Sequence, residues 1–313
     1  IAPKKDGAVQ ILPKDVTFVV DASSSIAQRK LDEVVAGVKR SIELLRPDDR
    51  FNVIVFRDSP KQFQPEHVNA TQENKAAAMQ FLSGLESFGQ TDVFAAVRPV
   101  LEVPTREGIP GMTFVITDGR PTTGLRDGRL IINNLTEENR ERKPIYAYSG
   151  GKTVNRYLLD LLAYRNKGES FVSEEIDAMD KDLPAFFLQL NDPLLTDLRA
   201  DYGSIAEENV FPKELPDFFR GRAVTVYGRF DPKKEGELVM RLVGRDGAAQ
   251  KELVFKADLA EARTGDAEIA RNWAFRKVYH LIGEMVRAGE TPELIAQLRD
   301  LCRQYNIRTV YDE

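Results

Sequence analysis

The chain has 313 residues, 42% of them hydrophobic and 30% charged, which suits about two domains with real cores. Lys and Arg total 44 against 49 Asp and Glu, and the net charge of -5 is spread over both halves. The basic surface that nucleic acid or an anionic membrane needs is therefore missing. One cysteine, two histidines and the lack of any apolar run near ~20 residues exclude a disulfide scaffold, a His-rich metal site and direct membrane insertion. A chain that starts at Ile1, with neither a methionine nor a signal peptide, reads as a processed or trimmed piece.

Residues 16–180 alternate short β-rich runs with helical patterns. Val16-Thr-Phe-Val-Val20 is a continuous apolar run, as expected of a strand covered on both faces. Leu31, Val34, Val35, Val38, Ile42 and Leu45 then mark one face of a helix that Pro47 ends. Further strands are expected at 51–56, 112–117, 145–148 and 170–173, with helices near 71–83, 91–102, 126–141 and 153–165. This alternation implies a mostly parallel, doubly wound sheet with helices on both faces. After Asn191-Asp-Pro193 the rhythm changes to β runs at 194–202, 223–227, 237–243 and 251–255. The last two flank Gly244-Arg-Asp-Gly247, whose Asp-Gly pair signals a hairpin turn. Two helices close the chain. One presents Phe275, Val278, Tyr279, Ile282, Met285 and Val286, and the other begins at Thr291-Pro292, a cap followed by proline at the first helical position.

The sharpest chemical feature is Asp21-Ala-Ser-Ser-Ser25, where the first strand gives way to the first helix. Ligand sites in open parallel sheets form at the carboxyl ends of strands. Asp21, Ser23 and Ser25 alternate, so an extended turn can aim all three at one point. Thr91, at the start of a helix, and Asp118, at the end of the central strand, reach the same edge. A carboxylate-and-hydroxyl set of this kind suits a small divalent cation that wants about six oxygens, water completing the shell. Taken singly, Asp21–Ser25 also reads as a helix N-cap and Asp118-Gly119 as a turn. Enzyme readings lack their parts: no phosphate-binding loop occurs, and neither His67 nor His280 lies in a nucleophile motif. No His or Lys is expected beside the three loops to serve as a general base.

These motifs resemble the von Willebrand factor A domain, whose metal-ion-dependent adhesion site is written D-x-S-x-S, then T, then D. Asp21, Ser23, Ser25, Thr91 and Asp118 match it in order, with Ser24 where that family usually has glycine. Asn191–Leu198, Phe218–Gly221, Val226–Phe230, Ala270–Lys277 and Tyr305–Thr309 are similar to the regions that follow the A domain in inter-alpha-trypsin inhibitor heavy chains, and the near-absence of cysteine points to a bacterial-type relative. The resemblance implies an A domain at 15–180, a β-rich accessory domain from 1–14 plus 190–260, and a C-terminal helical segment at 265–307. Lys4–Pro13 would be the end of a preceding domain or a strand added to the second sheet. It further implies Mg²⁺, with Ca²⁺ or Mn²⁺ as alternatives, and a ligand-facing surface of Ser24, Gln90, Asp92, Gly119 and Arg120. The function implied is non-enzymatic adhesion outside the cytoplasm, through a Glu or Asp of a protein partner. A metal-dependent hydrolase and a structural A domain with an empty site are the competing readings.

Overall fold

Asp15–Asp21 (β1) is buried along its whole length and occupies the centre of a mostly parallel sheet. A computed structural model describes residues 10–231 and 236–308. Arg50–Phe56 (β2) and Gly111–Ile116 (β5) pair with β1 in parallel on either side. Ile145–Gly150 (β6) and Ser170–Ser173 (β7) extend the β5 side, also in parallel. Two short antiparallel strands that the sequence pattern does not announce, Pro60–Gln62 (β3) and Val68–Asn69 (β4), finish the β2 edge.

The period of two along each strand sends alternate side chains to opposite faces. Val16, Phe18 and Val20 join Phe114, Tyr146 and Tyr148 on one face. Against them lie Leu31, Val34, Val38 and Ile42 of Gln28–Glu43 (α1), and Leu183 and Phe187 of Met179–Leu188 (α6). Val19, Ile54 and Val115 point the other way, toward Val93–Glu102 (α3), Gly128–Glu138 (α4) and Arg156–Arg165 (α5). Gln72–Phe81 (α2) completes the set, capped by Thr71, whose side chain accepts the Asn74 N–H. Helices on both faces of a parallel sheet are the architecture expected from the alternation.

Beyond α6, Pro193–Asp201 (β8) is the spine of a second sheet. Phe218–Phe219 (β10) takes one of its edges and Glu237–Asp246 (β12) the other, and Ala249–Asp258 (β13) pairs with β12 as a hairpin. The hairpin loop is Gly247-Ala248, since Asp246 still pairs with Ala249; Gly247 supplies the positive φ of 61° at its first position. The run at 223–227 is not a strand. Val224 packs into the core of this sheet with Val226 against it, and only Tyr227–Gly228 (β11) pairs, with Val210–Phe211 (β9). The proposed N-terminal strand falls largely on residues outside those described; within them, Leu12 donates its N–H to the Pro193 carbonyl at 2.9 Å.

Ala267–Ala288 (α7) and Pro292–Tyr305 (α8) pack through their apolar stripes, burying Trp273 and Cys302. Their stripe joins the core formed by α3, α4 and α5 rather than the second sheet. Arg129 and Asn133 of α4 both donate to the Val286 carbonyl and so tie the end of α7 to the first domain. Phe275 departs from the expected stripe: it is 42% exposed and rests on Tyr279 instead of the core.

His67 lies at the amino end of the parallel sheet, far along β1 from Asp21, with its Nε2 2.8 Å from Thr17 Oγ1. Burial, reinforced by the cations of Arg50, Lys143 and Arg106 against the opposing pull of Asp15, lowers its pKa to about 4. The unfolded chain, with a histidine near 6.5, binds a proton first as pH falls. Stability should therefore be complete above about pH 6.5 and drain away toward pH 4, by on the order of 3 kcal/mol for this group. His67→Gln should flatten that part of the pH profile in urea unfolding. An unchanged profile would show that other groups control the acid limb.

Candidate metal centre

The carboxyl ends of β1 and β5 adjoin where the strand order reverses, so a crevice opens above them. Asp21 is the last residue of β1, and its side chain turns into the sheet edge. One carboxylate oxygen accepts the Ser23 N–H at 2.9 Å, and the other accepts the Thr117 hydroxyl at 2.6 Å. Those two bonds fix the carboxylate and leave each oxygen a further lone pair. Burial pushes the Asp21 pKa up, against its hydrogen bonds to Thr117 and Ser23, and the nearby charge of Asp118 adds to the rise.

Three hydroxyls from two loops meet beside it. Thr91 Oγ1 donates to Ser23 Oγ at 2.7 Å, Ser23 Oγ is 2.9 Å from Ser25 Oγ, and Ser25 Oγ is 3.3 Å from Thr91 Oγ1. Ser23 and Thr91 are wholly buried, whereas Ser25 is exposed and opens the group to solvent. The loops that carry them are braced by backbone. Ser24 donates both its N–H and its hydroxyl to the Gly89 carbonyl, and Ser87 donates its hydroxyl to the Ser23 carbonyl. Thr122 holds Thr91 by accepting its N–H at 2.8 Å and donating its own N–H to the Thr91 carbonyl. Gly89 sits at φ 80°, where an added Cβ would lie 2.5 Å from an Asp58 carboxylate oxygen, so this turn requires glycine.

The N-cap alternative for Asp21–Ser25 fails on geometry. Helix α1 begins at Gln28, its cap position is Ala27, and no side chain caps it. The turn reading of Asp118-Gly119 is correct as far as it goes. Asp118 Oδ1 accepts the Arg120 N–H, and Gly119 turns at φ 69°, while Asp118 itself stays buried. Of the flanking residues, Ser24, Gln90 and Arg120 are exposed. Asp92 instead caps α3 by accepting the Ala95 N–H, and Gly119 is buried.

Sequence reasoning missed three neighbours. Thr117 and Thr122 orient Asp21 and Thr91, and Thr117 could have been found, because it immediately precedes Asp118 at the strand end. The third corrects the expectation that no lysine lies near these loops. Lys30 is buried on α1, bonds Ser149 Oγ at 3.3 Å, and has its pKa lowered by burial, opposed by Asp118 and Asp21. Its spacing places it one turn before Val34, at the flank of the buried face, where a lysine usually extends its ammonium to water, so the residue type gives no sign of the burial. Among the described residues no group of three or more His, Cys, Asp or Glu is placed to hold a metal ion. The donors here are two carboxylates and three hydroxyls, hard oxygens that fit magnesium-like cations.

The sheet order and the hydroxyl-rich edge together define a doubly wound α/β protein whose distinguishing feature lies at the carboxyl ends of β1 and β5. The chain belongs to the von Willebrand factor type A domain family, whose model matches residues 14–171, half of the sequence. It is 26% identical to human inter-alpha-trypsin inhibitor heavy chain H4 over 301 residues, covering 90% of this chain and 32% of that protein. The chain thus spans about a third of the length of that relative. Among solved structures it shares its fold with a von Willebrand factor type A protein from Catenulispora acidiphila, at a TM-score of 0.63 and 14% identity, covering 94% of this chain and 80% of the other. The ArnB paralog VWA2 from Sulfolobus acidocaldarius gives a TM-score of 0.54 at 16% identity, covering 97% and 83%.

Proposed function

We propose that Asp21, Ser23, Ser25, Thr91 and Asp118 hold one divalent cation, Mg²⁺ in the first instance, with Ca²⁺ or Mn²⁺ able to replace it. The cation offers an open position to a Glu or Asp of a protein partner. The observation that carries this reading is the closed triangle of Ser23, Ser25 and Thr91 hydroxyls beside a fixed Asp21, assembled from two loops and not used to cap a helix. With only two carboxylates in the set, a bound cation keeps enough positive charge to attract a third. Without it, Asp21 and Asp118 repel an incoming carboxylate.

The module acts by adhesion and not by catalysis. Lys30 is a base close enough to feel the charges of Asp118 and Asp21, and it is buried on α1, 7% exposed. Its place inside the fold suits charge balance rather than proton exchange with a substrate. Residues 15–180 form the binding domain, 190–260 a β-rich layer, and 265–307 a helical segment that moves with the binding domain because it packs on α4 and α5. Similarity to the heavy chains favours an extracytoplasmic setting, and among the described residues no helix is long and apolar enough to cross a membrane.

The test is calorimetric titration with MgCl₂, then binding to an array of Glu- and Asp-containing peptides and their amide twins. Peptide binding should require the metal, vanish in chelator, and be lost in the amide forms. Equal binding in excess chelator would place the interface elsewhere.

A further inference from the structure

Among the described residues the second sheet ends in β13, with no strand paired to its outer edge. Every residue of β13 is exposed except the half-buried Leu253, and Val254 and Phe255 are 53% and 36% exposed. Among the described residues, β13 pairs only with β12, through ten consecutive positions. Its outer row of backbone donors and acceptors is thus a template for another strand, and edges this long are normally shortened, bulged or covered.

The side chains specify which strand. Leu253 and Phe255 pair with Leu242 and Met240 of β12 and share the face that covers the small core of this sheet. Val254 pairs with Arg241 and lies on the opposite face with Glu252 and Lys256. We propose that β13 is a self-association edge, where a second copy of this chain adds its own β13 antiparallel about a two-fold axis through Val254. A two-fold perpendicular to the sheet keeps each face on its own side, so residues whose numbers sum to 508 oppose one another. Val254 then meets Val254, Leu253 meets the partner's Phe255, and Glu252 meets the partner's Lys256, each of the last two pairs occurring twice. Apolar faces apolar, and opposite charges face each other.

Neighbouring registers lose this match. Centring on Leu253 sets Lys251 against Phe255 and Glu252 against Val254. Centring on Phe255 sets Glu252 against Asp258 and Val254 against Lys256. An odd shift would turn the core-side residues outward. The two charge pairs therefore fix the register, and the Leu–Phe pairs continue the core of one sheet into the next.

Sedimentation velocity of the 313-residue chain, in chelator so that no metal-borne contact contributes, reads the outcome. The mass should rise toward twice 35.3 kDa as concentration increases from about 1 to about 200 µM. Lys256→Glu should weaken the dimer roughly tenfold or more by placing like charges opposite each other twice. Glu252→Lys combined with Lys256→Glu should restore it, because the pairs are re-formed with their signs exchanged. Both positions are exposed, and unchanged melting of each variant shows that the fold is intact. A chain that stays monomeric throughout, as it would if the edge served a different protein, overturns the proposal. So does a dimer indifferent to Lys256→Glu, or one that the double variant fails to recover.

Discussion

Asp21→Ala should weaken Mg²⁺ binding by roughly a hundredfold or more in calorimetry, since loss of even a residue that only orients ligands costs 10–100-fold. The reason lies in how much Asp21 organises. It supplies one of two carboxylates, and its oxygens hold the Ser23 backbone and the Thr117 side chain at the junction of β1 and β5. Losing those two acceptors should cost about 1–3 kcal/mol of stability, far short of unfolding the domain, because the strands on either side keep their apolar contacts. Asp21→Asn preserves the shape and one acceptor, so it should bind metal nearly as poorly while unfolding closer to the parent. Thr91→Ala offers a graded contrast: it removes one hydroxyl from the triangle and leaves both charges in place. Tight Mg²⁺ binding by Asp21→Ala would show that the cation sits elsewhere.

The sheet was legible in the sequence for a physical reason. Central parallel strands are buried on both faces, so β1, β2 and β5 read as continuous apolar runs, and α1 shows a clean stripe because it buries one face only. The C-terminal helices were legible as helices, but their place was not. A stripe states that a face is buried, not against what: α7 chose α4 and α5, and α8 packs on α7. The hydroxyls of Ser23, Ser25 and Thr91 could be anticipated to converge because strand ends in a doubly wound sheet share one edge. Thr122 and Lys30 could not, since their roles depend on loop paths and on the rotation of α1. The strands β3 and β4 are too short to carry a period, and of the strand-like run 223–227 only Tyr227 pairs, while Val224 serves the core of the second sheet.

The largest stability effect expected of a single substitution lies at the opposite end of the sheet. Lys14 and Asp49 are both 0% exposed, and their side chains form an ion pair at 2.6 Å. Asp49 also accepts the backbone N–H groups of Lys14 at 3.1 Å and Arg46 at 2.8 Å, so one carboxylate joins the entry to β1, the end of α1 and the start of β2. Burial lowers the Lys14 pKa, and Asp49 is the chief influence opposing that. Asp49→Ala should leave an ammonium in the interior without its ion-pair partner, facing only the more distant charge of Asp192, and two backbone donors without an acceptor. A loss of about 3–5 kcal/mol is expected, a large share of the ~5–15 kcal/mol that holds a domain together. The pair itself is a weaker source of stability than that loss suggests, because both charges were taken out of water to form it. Lys14→Met together with Asp49→Asn, which removes both charges and keeps an acceptor for one of the two backbone donors, should therefore be more stable than Asp49→Ala alone by more than about 1 kcal/mol. Urea unfolding at neutral pH measures both variants. If Asp49→Ala unfolds within about 1 kcal/mol of the parent, Lys14 has found water or another anion, and the junction is looser than its burial implies.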